Sequence, residues 1–467
     1  MKHPFPLLYF VIVASSAAHG ELLYEAEHGK LCGKTRVAHE HKDGTGRAFV
    51  TGFEKPGDGV DITVQSNGDG YYFLDLRYAC EVSKNVPVTV NGSMQGSRRF
   101  SQTNGFAEGR YGRVFLHAGD NTIGIGTDWG YADIDSIRIS SAEAPASFQL
   151  AKAPVYPQAS PEARRLFDSF IREFGRRTFA GQHESDSRCP ARLEQLASLT
   201  GGSAPAILGL DMQLYSQAWT NPEGIGTIER ALDWAKNRHG IVTLSWHWLS
   251  PFGGADPVWS SFSADKTTFD VSRIADKSSD EYAAVLRDLD RIAEKLTILR
   301  DAHVPVLWRP LHEAEVGGFW WGAKGAETTK LLYRLMFDRF TRVHRLDNLL
   351  WVWTTTDNDR SLDWYPGDDC VDIVAADLYS PPGVRGDYFT VFDRLREIYG
   401  GSKPISLGEC GGIPEITERA PWLWFLVWDD HITRPDFNPP SLIAERYRDP
   451  RVIVLPDAFD RRTNLER

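Results

Sequence analysis

The stretch Val304-Pro-Val-Leu-Trp-Arg-Pro-Leu-His-Glu313 decides the fold of this chain. Its apolar run has the length of a strand and ends abruptly in Arg309, His312 and Glu313, which indicates a buried strand with functional groups at its end. The later stretch Pro404-Ile-Ser-Leu-Gly-Glu409 is built in the same way. Two carboxylates at the carboxyl ends of parallel strands are how a (β/α)8 barrel would present an acid and a nucleophile to a sugar. For one glutamate alone, a helix cap or a salt bridge would explain the residue equally well.

The composition limits the partners of the chain. At 467 residues it is long enough for two domains, one of them able to bury a large core. The formal net charge of −11 argues against nucleic acid and against an anionic membrane surface as partners. Tryptophan is frequent, with 15 residues beside 16 tyrosines, and such rings stack on the C–H faces of sugars as well as filling a core. We expect a monomer without nucleic-acid or membrane partners.

The first twenty residues, Met1–Gly20, have the pattern of a secretory signal peptide. A weakly basic start precedes an apolar run, and small residues then offer a cleavage site. No later stretch reaches the roughly 18 consecutive apolar residues that a membrane span needs. The sequence therefore predicts a secreted, extracellular protein.

Five cysteines fit an oxidising compartment without proving it. Cys32 and Cys80 lie in the first domain and could pair, whereas the three later cysteines leave one odd thiol. Their spacings match no zinc pattern, so we expect no metal site built on them.

Turn and strand patterns divide the chain. Residues 21–141 contain short alternating stretches separated by Asn-Gly and Asp-Gly pairs, which indicates a β-sandwich of the jelly-roll type. Residues 142–161 are rich in alanine and proline and are interpreted as a semi-rigid linker. Residues 162–467 alternate apolar strands with amphipathic helices.

The second domain is predicted to be an α/β protein of the TIM-barrel type, (β/α)8, since eight buried strands alternate with crossover helices. An open doubly wound sheet is the competing fold, but no Gly-rich phosphate loop follows the first strand. The candidate strands are Thr178–Gln182, Ala206–Asp211, Ile241–His247, Val304–Glu313, Leu349–Thr355, Val371–Tyr379, Ile405–Glu409 and Phe425–Trp428. Polar or aromatic residues follow the strand ends, where a barrel enzyme carries its site: His183, Asp211, His247, Glu313, Tyr379, Glu409 and Trp428.

Two acidic motifs stand at the ends of the first domain. Strand alternation puts Glu25 and Glu27 on one face, where paired carboxylates repel each other unless a hard cation lies between them. A solvated strand face is the alternative. The domain resembles the family 35 carbohydrate-binding modules in Tyr24-Glu-Ala-Glu27, Gly70-Tyr-Tyr-Phe-Leu-Asp-Leu-Arg-Tyr78 and Trp129-Gly-Tyr-Ala-Asp-Ile-Asp-Ser-Ile-Arg-Ile139. This resemblance implies a structural calcium held by Glu25, Glu27 and Asp135, and we take Trp129 as the candidate sugar platform.

The second domain resembles glycoside hydrolase family 26, whose best-populated activity is that of endo-β-1,4-mannanases. The motifs are Phe179-Ala-Gly-Gln-His183, Ser245-Trp-His-Trp248, Trp308-Arg-Pro-Leu-His-Glu313 with Phe319-Trp-Trp-Gly322, Ala376-Asp-Leu-Tyr379 and Leu407-Gly-Glu409. The resemblance implies Glu313 as acid/base and Glu409 as nucleophile of a retaining hydrolase that needs no metal for catalysis.

The same resemblance assigns supporting roles. His312 would contact the nucleophile or the substrate 2-hydroxyl, and Tyr379 would hydrogen-bond Glu409. His247 and Trp428 would line the subsite of the reacting sugar.

One position departs from the family pattern, because Gly318 stands where a tryptophan is usual five residues after the acid/base. We expect the leaving-group side of the site to be weakened unless Phe319, Trp320 or Trp259 covers it.

The expected substrates are β-mannan polysaccharides (mannan, glucomannan or galactomannan) and manno-oligosaccharides. Two alternatives stay open: the same mechanism on another β-glycan, such as mixed-linkage β-glucan or β-1,3-xylan, and a catalytically inactive polysaccharide-binding protein. Retention of both glutamates with their neighbours argues against the last, since a lectin needs neither.

Overall fold

The computed structural model describes residues 21–40, 48–127, 131–184, 189–216, 218–219, 226–254, 260–356 and 360–455. The predicted signal peptide, Trp129 and Trp259 lie outside these residues. No helix in the described part of the chain has both the length and the apolarity needed to cross a membrane.

The N-terminal part is an antiparallel β-sandwich. Its strands are β1 (Leu22–Glu25), β2 (Lys30–Cys32), β3 (Arg36–Ala38), β4 (Phe49–Thr51), β5 (Gly59–Ser66), β6 (Gly70–Ala79), β7 (Lys84–Val90), β8 (Ser93–Phe100), β9 (Ala107–Leu116), β10 (Gly119–Gly126) and β11 (Asp133–Ala142). One sheet has the order β3-β4-β11-β6-β9 with β1 beside β11, and the other has the order β2-β5-β10-β7-β8. Alternate residues of β7 are buried, so one face of its sheet forms the core. The predicted sandwich is confirmed.

The C-terminal part is a closed parallel barrel. Its strands are β12 (Thr178–His183), β14 (Ile207–Asp211), β15 (Ile241–Ser245), β16 (Val306–Arg309), β17 (Leu349–Thr355), β18 (Ile373–Leu378), β19 (Ile405–Cys410) and β20 (Trp424–Val427). Pairing of β12 with β20 closes the circle, which rules out the open sheet and confirms the predicted TIM barrel. Two short strands outside the barrel, β13 (Ala204–Pro205) and β21 (Val452–Leu455), were not predicted.

Helices surround the barrel: α1 (Pro161–Glu173), α2 (Cys189–Thr200), α3 (Thr227–Leu232), α4 (Asp280–Asp301), α5 (Ala326–Asp338), α6 (Ser361–Trp364), α7 (Phe389–Ile398) and α8 (Pro440–Arg448). The starts of α1 and α4 follow from local sequence, because the side chains of Ser160 and Ser279 accept hydrogen bonds from the backbone N–H groups of Ala163 and Tyr282. Short 3-10 segments lie at Ala26–His28, Gln213–Tyr215, Ala264–Lys266, Val271–Ala275, Ala314–Val316 and Asp429–Thr433, and π segments at Asp233–Asn237 and Arg339–Val343.

The segment between the two folds lies along the barrel instead of holding the domains apart. The backbone N–H of Gln149 donates to the carbonyl of Gly401 over 2.9 Å, and that of Val155 donates to Asp372 over 2.7 Å. The Phe148 ring packs edge-on against Phe174. The interpretation of this segment as a spacer is therefore wrong, because its polar backbone and its aromatic ring are bound to the barrel.

The sandwich packs directly on the barrel. Met94 in β8 exchanges backbone hydrogen bonds with Arg385 (2.8 Å) and Tyr388 (3.1 Å). A Cβ atom at Gly386 would lie 2.0 Å from the Met94 carbonyl oxygen, so only glycine permits this approach. Arg113 in β9 also forms an ion pair with Asp393 in α7. These contacts fix a face of the sandwich beside the barrel rim.

The suggested pairing of Cys32 with Cys80 is wrong, since both thiols are free. Cys80 is buried and donates to the carbonyl of Ser101 over 3.2 Å, whereas Cys32 contacts Asp61 over 3.8 Å.

Candidate active site

A buried arginine joins two carboxylates at the centre of the barrel rim. Arg309 ends β16, and its guanidinium donates to Asp377 in β18 over 3.1 Å and to Glu409 in β19. Burial lowers the pKa of Arg309, but the charges of Asp377 and Glu409 outweigh it and raise that pKa above its usual value. The cation is therefore permanent, and it keeps a negative charge on Glu409 favourable in a buried place.

Tyr379 contacts the second oxygen of Glu409. Its hydroxyl donates to Glu409 Oε2 over 2.8 Å, while Arg309 binds Oε1. Burial and the charge of Glu409 raise the pKa of Tyr379, so the phenol remains a donor. The contact expected of Tyr379 is present, and both oxygens of Glu409 are held in fixed directions.

Glu313 faces this anchored carboxylate from a strained turn after β16. Leu311 and Glu313 have φ values of 53° and 52°, in the left-handed region that side chains rarely adopt. This turn aims the Glu313 carboxylate at the barrel axis, where oxygens of Glu313, Asp377 and Glu409 lie within 4.8 Å of one another. Burial and the charge of Glu409 raise the pKa of Glu313 to about 7. The pair thus combines a carboxyl that can hold a proton near neutral pH with one that is held by the guanidinium of Arg309.

The same three carboxylates have the spacing of a metal site. However, the guanidinium of Arg309 already donates to Asp377 and Glu409. A divalent cation there would compete with a fixed positive charge, so these residues do not fit a catalytic metal.

A row of polar side chains crosses the rim beside the glutamates. Asp211 Oδ2 lies 2.5 Å from His247 Nδ1, and His247 Nε2 lies 3.2 Å from His312 Nε2. Burial lowers the pKa of His247, but Asp211 outweighs it and the pKa is raised. Burial and His247 hold the pKa of His312 well below its usual value. These opposite shifts favour His247 as the donor and His312 as the acceptor. Among the described hydrogen bonds, His312 contacts His247 and not Glu409, so its contact with the substrate 2-hydroxyl stays a prediction.

Trp428 follows β20 and borders the same space. Its ring stacks on His183 with centroids 3.9 Å apart, and His247 lies edge-on at 5.8 Å. Burial lowers the pKa of His183 to about 3, so this ring is a neutral support for the indole. His247 and Trp428, predicted to share a subsite, are brought together.

The aromatic residues after Glu313 differ from our expectation in their burial, since Trp320 is buried and Phe319 is partly exposed. Trp320 is only 1% exposed, and its Nε1 donates to the carbonyl of Trp248 over 2.6 Å, so the prediction that it binds sugar is wrong. Phe319 is half-buried, with its ring 5.2 Å from that of His312. A Cβ atom at Gly318 would meet nothing within 4 Å, so the rim is open at that position.

The acidic residues of the sandwich come near one another by strand register. Glu25 in β1 lies opposite Ser136 in β11, next to Asp135, while Glu27 follows in a 3-10 turn. Among the described residues, no donor contacts the buried oxygens Glu27 Oε2 and Asp135 Oδ1, which fits oxygens that can ligate a hard cation. Asp135 also pairs with Arg77 over 3.2 Å. The three carboxylates are not gathered as tightly as those of the barrel, which form the one described acidic group within 4.8 Å.

Sequence reasoning missed a second feature of the sandwich, a cavity of about 970 Å³ at one end. Tyr131, which is 60% exposed, lines it together with Arg36, Asn104 and Asp133. Tyr131 stands two residues after Trp129, so the aromatic pair around Gly130 was the available signal.

Comparisons with known proteins match both parts of the chain. Residues 155–455 match glycosyl hydrolase family 26, and residues 22–142 match carbohydrate binding module family 35. A mannan endo-1,4-beta-mannosidase of Thermothelomyces thermophilus is 36% identical over 446 residues, which cover 93% of this chain and 90% of that protein. Mannan endo-1,4-beta-mannosidase B of Piromyces sp is 29% identical over 444 residues, covering 92% and 76% of the two chains.

Solved structures show the same likeness. The Podospora anserina GH26-CBM35 beta-(1,4)-mannanase has a TM-score of 0.64 at 34% identity and covers 95% of this chain and 99% of its own. A beta-mannanase from a symbiotic protist of the termite Reticulitermes speratus, complexed with gluco-manno-oligosaccharide, has a TM-score of 0.62 at 29% identity and covers 67% and 99%.

Proposed function

The chain belongs to glycosyl hydrolase family 26 and is a glycoside hydrolase, and on that premise we propose that it is a secreted, retaining endo-β-1,4-mannanase. The observation that carries the mechanism is the unequal pair of glutamates. Glu313 has a pKa raised to about 7, and it faces Glu409, whose two oxygens are held by Arg309 and Tyr379. Their oxygens lie within 4.8 Å of each other, which is closer to the roughly 5–5.5 Å typical of retaining enzymes than to the roughly 6.5–9.5 Å of inverting ones.

In the first step, Glu409 attacks the anomeric carbon of the sugar. The bond from that carbon to the glycosidic oxygen breaks, and Glu313 gives its proton to the departing oxygen. Arg309 and Tyr379 keep Glu409 oriented for attack. Their hydrogen bonds stay on the two Glu409 oxygens while the carboxylate loses its negative charge and the new ester forms.

In the second step, Glu313 acts as a base. It takes a proton from water, whose oxygen attacks the anomeric carbon and displaces Glu409. Two inversions give net retention, and both glutamates return to their starting protonation states. His247 and Trp428, which lie together at the rim, would line the reacting sugar.

The substrate follows from the relatives. The curated relatives are named mannan endo-1,4-beta-mannosidases, and one solved neighbour carries a gluco-manno-oligosaccharide. We therefore propose mannan, glucomannan or galactomannan as polymers for this chain. Met1–Gly20 supports secretion, and the N-terminal module would bind polysaccharide and hold calcium through Glu25, Glu27 and Asp135.

One assay tests the activity and the stereochemistry together. Reducing ends are measured on galactomannan, glucomannan, lichenan and β-1,3-xylan, with viscosity followed in parallel to separate internal from terminal cleavage. Early products from manno-oligosaccharide are then read by proton NMR. We expect activity on the first two polymers, a rapid fall in viscosity and first formation of the β-anomer. Activity on lichenan or xylan alone would overturn the assignment of β-mannan as the substrate. First formation of the α-anomer would overturn the retaining mechanism.

A further inference from the structure

A second cleft lies between the sandwich and the barrel. It has a volume of about 650 Å³ and is bounded by the sheet β2-β5-β10-β7-β8 and by the loop from β18 to α7. Tyr379 is part of its barrel wall, and the hydroxyl of this tyrosine donates to Glu409 over 2.8 Å. The cleft therefore begins at a ring that touches the catalytic centre.

The sandwich wall of the cleft carries several polar groups among apolar residues such as Pro87 and Ile125. Strand β7 buries Val86, Val88 and Val90 in the core, so its alternate residues, among them Asn85 and Thr89, face the cleft. Asp61 and Ser97 from β5 and β8 lie on the same wall. These amide, hydroxyl and carboxylate groups are the partners that sugar hydroxyls need.

Glycine keeps this wall open. A Cβ atom at Gly124 would lie 2.4 Å from Thr89 Oγ1 and 3.0 Å from Asp61 Oδ1. Its absence leaves both polar atoms uncovered and makes room for a ligand above them.

The barrel wall is mainly apolar, although Asp377 and Ser380 also line it. Tyr379 is 47% exposed, and Pro381, Pro382 and Val384 continue the wall beyond it. Such a surface suits the C–H faces of a pyranose, while the sandwich wall suits its hydroxyl edges. A cleft that combines polar groups with an aromatic and apolar surface fits a sugar chain better than a wholly apolar ligand.

Contacts at one end of the cleft hold the two walls in place. Met94 bonds to the backbone of Arg385 and Tyr388, and the Ser93 hydroxyl donates to Glu415 over 2.6 Å. The cleft is thus formed without a ligand, which lowers the entropy lost on binding.

We propose that this cleft is a substrate subsite shared by the two domains. A β-linked hexose chain cut at Glu313 and Glu409 continues past Tyr379 and lies against Asp61, Asn85 and Thr89. The sandwich then takes part in the catalytic groove itself, in addition to any binding at the separate cavity beside Tyr131. This inference rests on the proposed function, because it extends the same substrate.

The test compares long and short substrates in the full chain. Asp61→Ala and Asn85→Ala should each lower kcat/KM on mannohexaose about five- to tenfold, the scale of one lost hydrogen bond to a sugar hydroxyl. A dinitrophenyl mannobioside, too short to extend from the catalytic centre to Asp61 and Asn85 on the sandwich wall, should react unchanged. Asp120→Ala is the matched control, since Asp120 is an exposed carboxylate on β10 of the same sheet and lies outside the cleft.

The outcomes separate this inference from the proposed function. Unchanged hexaose kinetics in both variants, or an equal loss in Asp120→Ala, would overturn the shared subsite while leaving the mannanase intact. Equal losses on the short substrate would also overturn it, since they would show a disturbed catalytic centre. A wild type that cleaves no mannan would instead overturn the proposed function. The melting temperature of Asp61→Ala shows whether that variant folds. If it does not, the hexaose kinetics of Asn85→Ala decide the test.

Discussion

The chain contains two acidic clusters that differ in how their charge is balanced. In the barrel, the buried guanidinium of Arg309 contacts Asp377 and Glu409, and Glu313 is left to hold a proton. In the sandwich, Arg77 pairs with Asp135, and no donor in the described part of the chain contacts the buried oxygens Glu27 Oε2 and Asp135 Oδ1. Paired carboxylates therefore do not define a chemistry by themselves. An internal cation makes the barrel cluster suited to proton transfer, whereas incomplete compensation makes the sandwich cluster suited to an external cation.

The largest expected effect concerns the two glutamates of the barrel. Glu409→Gln should remove turnover on every substrate, because it deletes the attacking group. Glu313→Gln should lose about 10²–10⁴-fold on mannan, yet spare the first step on a dinitrophenyl glycoside, whose leaving group needs no proton. Burst and steady-state kinetics measure both. Equal residual activity of the two variants on the activated glycoside would contradict the assigned roles.

The two arginines should differ in their contribution to stability. Arg309→Met leaves buried carboxylates without their cation and should lower the free energy of unfolding by about 3–5 kcal/mol. Arg77→Met should lower it by about 1–2 kcal/mol, because the Arg77 side chain is 24% exposed and water can partly replace its charge beside the buried Asp135. Urea denaturation followed by tryptophan fluorescence compares them. Equal losses of unfolding free energy would show that the two arginines compensate the charge of their acidic clusters to the same extent.

Calcium should act on the sandwich cluster alone. Calcium at one hundred times its dissociation constant should stabilise the folded chain by about 2.7 kcal/mol, and a chelator should remove that gain. Glu27→Gln should abolish the response, whereas Glu313→Gln, the matched change in the barrel, should leave it intact. Differential scanning calorimetry with and without chelator measures the shift. An unchanged melting curve in the wild type would contradict the calcium site.

Protonation of Glu313 should couple stability to pH. Its folded pKa of about 7 lies above the ordinary 4.5, so its contribution to stability is fully present below pH 4.5 and is lost as pH rises through 7. Glu313→Gln keeps a neutral side chain throughout. We expect the variant to melt a few degrees above the wild type at pH 8 and at the same temperature at pH 4. A constant difference across this range would show that Glu313 is not a buried acid.

The smallest effect concerns aromatic contacts with sugar. The sandwich exposes Tyr131, whereas the barrel rim has only Gly318 at the position where an indole is usual. Gly318 lies outside the left-handed region and a Cβ there meets open space, so Gly318→Trp should fold. We expect about 1–3 kcal/mol of added binding on the leaving-group side, seen as a lower KM and more transglycosylation.

Gly317→Trp is the control that should fail to fold, since Gly317 has a φ of 73°. Mannopentaose digestion in labelled water reads the binding mode, and an unchanged product pattern in Gly318→Trp would contradict a missing platform.

The sequence alone determined the two folds and the line of groups along the barrel rim. Apolar strands and amphipathic helices are local patterns, so the eight barrel strands could be placed from the chain. Parallel strands bring their carboxyl ends to one rim, which is why Glu313, Tyr379 and Glu409 were predicted to meet. The hydrogen bond of Tyr379 to Glu409, in contrast, was implied by the resemblance to family 26, and the structure contains it.

Only the tertiary structure decided which carboxylates pair with the same cation and which aromatic rings face the active site. Asp377 is one residue of a buried strand, and its bond to Arg309 exists because the closed barrel brings β16 and β18 to the same axis. Trp320 is buried and Phe319 approaches the histidines because the backbone turns through the left-handed conformations of Leu311, Glu313 and Gly317. The cleft beside Tyr379 likewise needs two domains to meet. Periodicity is a local property, whereas charge compensation, burial and a shared cleft depend on contacts between residues far apart in the chain.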